Sequence, residues 1–168
     1  MSLIVQTTDF TGRYEIAQNA YNTSALQSFI DTYEEKYLID LLGVDLFNLF
    51  KANVTNYVPT STPYTTIFNP IRQDWNGCIL ESSGIKNMLL GFIYFEFCRS
   101  NSVKNTISGF ATNNVENSTT PDFSNSQIYT VYNLSIKNYR VIQQYILNNS
   151  VSFTLFNGQM KSYNSVFV

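Results

Sequence analysis

Residues 80–101 form the most apolar run of the chain, and this run limits most strongly what the chain can fold into. Its large apolar side chains recur at intervals of three and four residues, which is typical of a helix with one broad apolar face. Tyr94, Phe97 and Cys98 widen that face. We therefore predict a core helix with protein on most sides, whose inner face comprises Ile85, Met88, Leu89, Phe92, Ile93 and Phe95.

The same run is too short to cross a membrane. Its uninterrupted part, residues 88–95, falls well below the roughly 20 apolar residues that a span needs, and Glu96 and Arg99 end it. Glu96 follows Phe92 by four residues and so lies on or beside the apolar face. It is either a helix-edge ion pair with Arg99 or a buried carboxylate that fixes a subunit contact, for example with Arg140. We expect no membrane partner.

Composition fits a protein that makes many contacts. The 168 residues suit one domain with a real core, and 44% of them are hydrophobic, 15% aromatic and only 13% charged. A weakly charged surface rich in Tyr and Asn suits a subunit covered by neighbours, although AT-rich codon usage explains the same profile equally well. With a net charge of −2 and no basic cluster, the chain lacks the footprint of a nucleic-acid binder.

The residue types give little support to metal binding, cofactor binding or nucleophilic catalysis. The chain has no histidine and only two cysteines, Cys78 and Cys98, so we expect neither a zinc site nor any other cofactor. Two buried free thiols are favoured over a disulfide, and residues 1–6 do not resemble a signal peptide. Asp31 and Glu35 share a helix face and could pair as catalytic carboxylates, but a solvated helix edge explains them better. We predict that the protein is not an enzyme.

Periodicity predicts three further helices. The first begins near residues 22–24, carries a polar edge that includes Asp31, Glu34, Glu35 and Asp40, and ends at Gly43. A short helix follows over residues 44–51, and a long one spans about 126–148. Between them, the proline-rich residues 53–72 predict a surface connection with one helical turn near 64–68. Trp75 is interpreted as a core residue, with an interface hot spot as the alternative.

Three segments outside the helices predict contacts with other chains. Residues 1–20 read as an extended arm, residues 102–125 as a long loop, and residues 151–156 and 159–168 as a hairpin about Asn157 and Gly158. The hairpin either pairs with the N-terminal strand of its own chain or adds strands to a partner. The predicted partner-binding residues are Phe110, Phe123, Phe153, Leu155, Phe156, Val166, Phe167 and Val168.

The order of these elements resembles a known family, the small head–tail connector (adaptor or head-completion) proteins of tailed bacteriophages. The resemblance covers roughly residues 24–148. It is closest to connector or ring proteins of Bacteroidetes and crAss-like phages. The segments that carry it are the helix at 29–43 with Leu46 and Phe47, the Trp75-Asn76-Gly77 entry, the aromatic helix at 85–99, and the last helix with Tyr129, Tyr132 and Asn133.

The resemblance implies a mainly α protein: a helical bundle of three to four main helices, an extended N-terminal arm and a C-terminal β-hairpin, in one connector domain over residues 1–168. It implies a structural virion protein, made in the host cytoplasm. Twelve copies would form a ring between the portal and the tail and would continue the DNA channel without sequence-specific binding. A tail-completion or terminator subunit is the alternative, and a carboxylate-dependent hydrolase is the least favoured one.

Overall fold

Five helices dominate the structure, a computed structural model that describes residues 2–16, 23–106, 109–112, 127–157 and 163–164. The mainly α prediction is therefore confirmed for this part of the chain. Four of the helices lie close to where periodicity placed them, and the single helical turn expected near residues 64–68 is also present. The helices are α1 (Thr23–Leu42), α2 (Val44–Ala52), α3 (Tyr64–Phe68), α4 (Ile85–Ser102) and α5 (Gln127–Asn148).

The described strands form three separate two-stranded antiparallel sheets. Strands β1 (Val54–Thr55) and β2 (Val58–Pro59) are short and lie within the predicted connection. Strands β3 (Ile71–Trp75) and β4 (Cys78–Ser82) pair along their whole length. Strands β5 (Val103–Thr106) and β6 (Gly109–Thr112) pair inside the segment predicted as a long loop. That loop prediction was therefore wrong for residues 103–106 and 109–112, and residues 107–108 and 113–125 lie outside the described part.

The β3–β4 hairpin corrects the predicted start of the central helix. Asn76 and Gly77 both have positive φ, 49° and 80°, as the two central residues of a type I′ turn require. The Asp74 carboxylate accepts a hydrogen bond from the Gly77 N–H at 3.1 Å. Residues 80–82 are therefore strand, and α4 begins only at Ile85 after Gly84. A Cβ on Gly84 would lie 2.2 Å from the Phe68 carbonyl oxygen, so no other residue fits there.

Helix α4 is the centre of the core, as predicted. Ile85, Met88, Leu89, Phe92 and Ile93 are fully buried, whereas Phe95 of the predicted inner face is only half-buried. On one side the Phe92 ring stacks on Tyr37 of α1, with centroids 4.3 Å apart. On the other side Gly91 lets α4 approach α5 closely, because a Cβ there would meet the Ser135 hydroxyl at 2.0 Å.

The N-terminal arm folds onto its own chain. Where strands were expected, the structure has two single 3₁₀ turns, Thr7–Asp9 and Gly12–Tyr14. The segment contributes buried side chains to the same core as the helices: Ile4, Val5, Phe10, Tyr14 and Ile16. Residues 1 and 17–20 of the predicted arm lie outside the described part.

The segment after α5 turns where a strand was predicted. Residues 150–155 form consecutive turns, closed by hydrogen bonds such as Phe153 N–H to the Ser150 carbonyl and Phe156 N–H to the Phe153 carbonyl. Of the predicted second strand, residues 159–168, only Tyr163 and Asn164 lie in the described part, and neither is in a strand.

Candidate functional site

A buried carboxylate holds the N-terminal segment on α1. Glu34 is only 3% exposed, and its two oxygens accept hydrogen bonds from three successive backbone N–H groups. The distances are 2.6 Å from Leu3, 2.8 Å from Ile4 and 2.8 Å from Val5. We call this arrangement the N-terminal clasp. The sequence placed Glu34 on a polar edge, and that assignment was wrong.

Desolvation dominates the electrostatics of the clasp. Burial raises the pKa of Glu34 above its usual value, and the nearby Asp31 raises it further. The three backbone hydrogen bonds act in the opposite direction, because they stabilise the ionised form, but they do not outweigh burial. The clasp thus places an acid that is costly to bury beside three backbone N–H groups that need an acceptor. Both requirements are met only when the N-terminal segment lies on α1 in this position.

A second buried carboxylate joins α4 to α1. Glu96 is 7% exposed, accepts a 2.9 Å hydrogen bond from the Tyr37 hydroxyl and forms an ion pair with Arg99. Burial, and then the neighbouring Glu96, raise the pKa of Tyr37 far above its usual range, so this hydroxyl stays protonated and donates. Glu96 is therefore both the helix-edge partner of Arg99 and a buried carboxylate. The contact that it fixes lies within one chain.

In the C-terminal part of the chain, Tyr163 contacts helices α1, α4 and α5. The Tyr163 hydroxyl donates to the Asp40 carboxylate at 2.6 Å, and Arg140 donates to the Tyr163 carbonyl at 2.7 Å. The Tyr163 ring packs on Phe92 and Tyr139. Arg140 thus binds the backbone of its own chain, whereas the sequence had suggested it as a partner of Glu96.

The structure separates the residues that were predicted to bind partners. Phe153 is 1% exposed and belongs to the chain's own core, and Phe156 packs against that core. Leu155 is 45% exposed. Phe110 lies in strand β6. The others, Phe123, Val166, Phe167 and Val168, lie outside the described residues.

Three exposed apolar side chains lie in the two segments that meet between the α1–α2 corner and the C-terminal turns. Gly43 at this corner lies against the Asn157 side chain, because a Cβ on Gly43 would be 3.4 Å from its amide nitrogen. Val44 beside Gly43 is 58% exposed, and Val151 and Leu155 in the turns are 90% and 45% exposed. We call Val44, Val151 and Leu155 the exposed corner. Of these, sequence reasoning selected only Leu155 as a contact residue.

The two carboxylates that the sequence offered as a catalytic pair have little room for a substrate. Asp31 and Glu35 line a cleft of about 70 Å³ with Glu34 and Lys51, which is far smaller than the roughly 300 Å³ or more of typical ligand pockets. In the described part of the chain, no three metal-ligating side chains come together and no helix could cross a bilayer. Cys78 and Cys98 are free thiols, but Cys78 is exposed and Cys98 is only half-buried, whereas both were predicted to be buried.

What this arrangement can do is make contacts. Glu34 holds the N-terminal segment on α1, Asp40 and Arg140 hold Tyr163, Glu96 joins α4 to α1, and the exposed corner offers apolar surface. Comparison with protein-family models, with curated proteins and with solved structures gives no match.

Proposed function

We propose that this chain is a structural subunit of a phage head–tail connector that assembles head to tail into a ring, with twelve as the expected number of copies. The ring would bind the portal on one side and the tail or a further ring protein on the other. The finer architecture belongs to this proposal: a helical bundle that forms the wall of the ring, with the terminal segments at its contacts. The virion neck would be its location.

The observation that carries the proposal is the exposed corner. Val44, Val151 and Leu155 are three of the six large apolar side chains that are exposed in the described residues, and they lie in the two segments that meet where Gly43 approaches Asn157. A patch of this kind indicates a protein contact. The corner joins residues distant in sequence, so it is held by the folded body. A closed ring needs a contact patch on each subunit that fits a different patch on the next.

Three further features support the connector. A terminator-like subunit is expected to be rich in β-sheet, whereas the described chain is mainly helical with only two-stranded sheets. A hydrolase that uses Asp31 and Glu35 needs room for a substrate, which the small cleft between them does not offer. A slightly acidic chain also suits a channel through which DNA passes without adhering.

Native mass spectrometry and negative-stain microscopy, with and without a portal, test the proposal. We expect rings, formed alone or on the portal. Replacing both Val44 and Leu155 by Asp should abolish them. Val58→Asp is the matched control, because Val58 is 48% exposed on β2 and lies outside the exposed corner. A wild-type protein that stays monomeric at all concentrations, and ignores the portal, would refute the proposal.

A further inference from the structure

The β3–β4 hairpin has one covered face and one open face. Ile71 and Ser82 at its base are buried, and Gln73 and Leu80 are partly covered. On the other face Arg72, Asp74, Ile79 and Glu81 are all exposed. Strand β4 packs along α5 and β3 lies on the far side of β4. Among the described residues, no strand pairs with the outer edge of β3.

The turn fixes which backbone groups this edge presents. In a hairpin with a two-residue loop, the residues that flank the loop, here Trp75 and Cys78, exchange hydrogen bonds with each other. Alternation then directs the N–H and C=O groups of Arg72 and Asp74 away from β4. Within the described part of the chain, these two residues therefore offer donors and acceptors on the outer edge of β3 that no other strand pairs.

The side chains at this edge are complementary to themselves. If two β3 strands run antiparallel about Gln73, Arg72 of each copy lies directly opposite Asp74 of the other. Both backbone groups of Arg72 then meet those of Asp74, and the side chains form two pairs of opposite charge on the open face. Charges that protect an edge strand from pairing repel the charges of a second copy. The charges on β3 attract each other in this register, so they do not protect the edge.

We propose that the outer edge of β3 is a dimer contact, where two copies of this chain pair their β3 strands antiparallel across a two-fold axis at Gln73. The result is a four-stranded sheet in the order β4–β3–β3–β4, which is more stable than two isolated hairpins. Such a contact is isologous and closes at two copies. It is therefore a contact of the free subunit, distinct from the head-to-tail contacts that a ring requires.

Charge reversal tests this register. Arg72→Asp makes both residues of the edge acidic, and Asp74→Arg makes both basic. Each variant alone should dimerise about tenfold or more weakly than the wild type in sedimentation velocity, since two attractive pairs become repulsive. An equimolar mixture of the two variants should restore the dimer, because every acidic edge then meets a basic one. This recovery also shows that the Asp74→Arg hairpin still folds without its turn hydrogen bond.

A disulfide gives an independent readout. Gln73 lies on the axis in a non-hydrogen-bonded pair, where the two Cα atoms are about 4.5 Å apart, within the range that a disulfide spans. In a Cys78→Ser background, Gln73→Cys should form a disulfide-linked dimer on mild oxidation. Glu81→Cys in the same background, on the strand that faces away from the axis, should not.

Three results would overturn the proposal. They are a wild type that is monomeric at every concentration, a dimer that Arg72→Asp leaves unchanged, or single variants that lose the dimer while their mixture does not regain it. The exposed-corner variant with Asp at positions 44 and 155 should still dimerise. The failure of the ring and the failure of this dimer are thus separate outcomes.

Discussion

Removing the Glu34 carboxylate should loosen the N-terminal segment and destabilise the whole protein. In Glu34→Ala three backbone N–H groups lose their common acceptor, and each unsatisfied buried donor costs about 1–3 kcal/mol. The segment can avoid this cost by leaving the surface, but then Ile4 and Val5 are exposed, at about 1.5–3 kcal/mol each. The cheaper of the two routes limits the cost, so we expect a loss of about 3–6 kcal/mol.

Glu34→Gln separates hydrogen bonding from packing. Its remaining oxygen can still accept from Ile4 and Val5, which share one oxygen of Glu34, but its NH₂ group then faces the Leu3 N–H. We expect a loss of about 1–3 kcal/mol. Denaturant unfolding measures both changes, and hydrogen exchange at residues 3–5 locates them. Glu35→Ala and Glu35→Gln are the matched controls, because Glu35 is exposed on the same helix. Equal effects at both positions would refute the reasoning.

The clasp also predicts how this stability difference varies with pH. Burial raises the pKa of Glu34 in the folded protein, so the folded state binds a proton more readily than the unfolded state. Wild-type stability should therefore gain from Glu34 as the pH falls from neutral through the raised pKa, towards the unfolded value. Glu34→Gln cannot titrate. The gap in unfolding free energy between wild type and Glu34→Gln should widen over that interval, and a gap that narrows would contradict the direction of the shift.

Three further perturbations test the rest of the core. Gly91→Ala should destabilise the protein by about 1–3 kcal/mol, because the added methyl group overpacks against Ser135 even though Ala is the better helix former. Adding Ser135→Ala to this variant should recover part of the lost stability. A Gly91→Ala variant that is more stable than wild type would refute the close approach of α4 and α5. Tyr37→Phe should cost about 1.5–3 kcal/mol, because Glu96 loses a buried donor, and the same free energy of unfolding as wild type would show that the hydrogen bond contributes nothing. Cys78 should react with a maleimide much faster than Cys98, whose pKa is raised by burial, and mass spectrometry of the labelled peptides decides this.

The helices could be predicted because their patterns are long. Helices α1, α4 and α5 each repeat the apolar spacing over several turns, and the glycine corner at Gly43 marks the end of α1. The hairpins were harder, and the dipeptide Asn-Gly shows why. At Asn76 and Gly77 it makes a type I′ turn between two strands, but the apolar run that follows led us to extend the helix back to residue 80. At Asn157 the same dipeptide follows turns and not a strand.

The buried carboxylates show which information a single sequence does not contain. Glu34 has two acidic neighbours, Asp31 and Glu35, and reads as part of their polar edge. However, it also lies four residues after Ile30 and four before Leu38, both fully buried, and that spacing was a usable signal. What the spacing cannot supply is the partner. The backbone of residues 3–5 is about thirty positions away, and backbone N–H groups have no sequence signature.

The two terminal segments differ in what they can contribute to an assembly. The N-terminal segment buries its apolar side chains in the core of its own chain. Binding a partner through this segment would therefore require breaking the clasp and exposing Ile4 and Val5. Phe153 is likewise committed to the core. The exposed corner, by contrast, keeps Val44, Val151 and Leu155 available, and these side chains are held by the corner at Gly43 and by turns that hydrogen bonds close. A subunit built this way would bind through a preformed surface, which saves the ordering cost that flexible arms incur on binding.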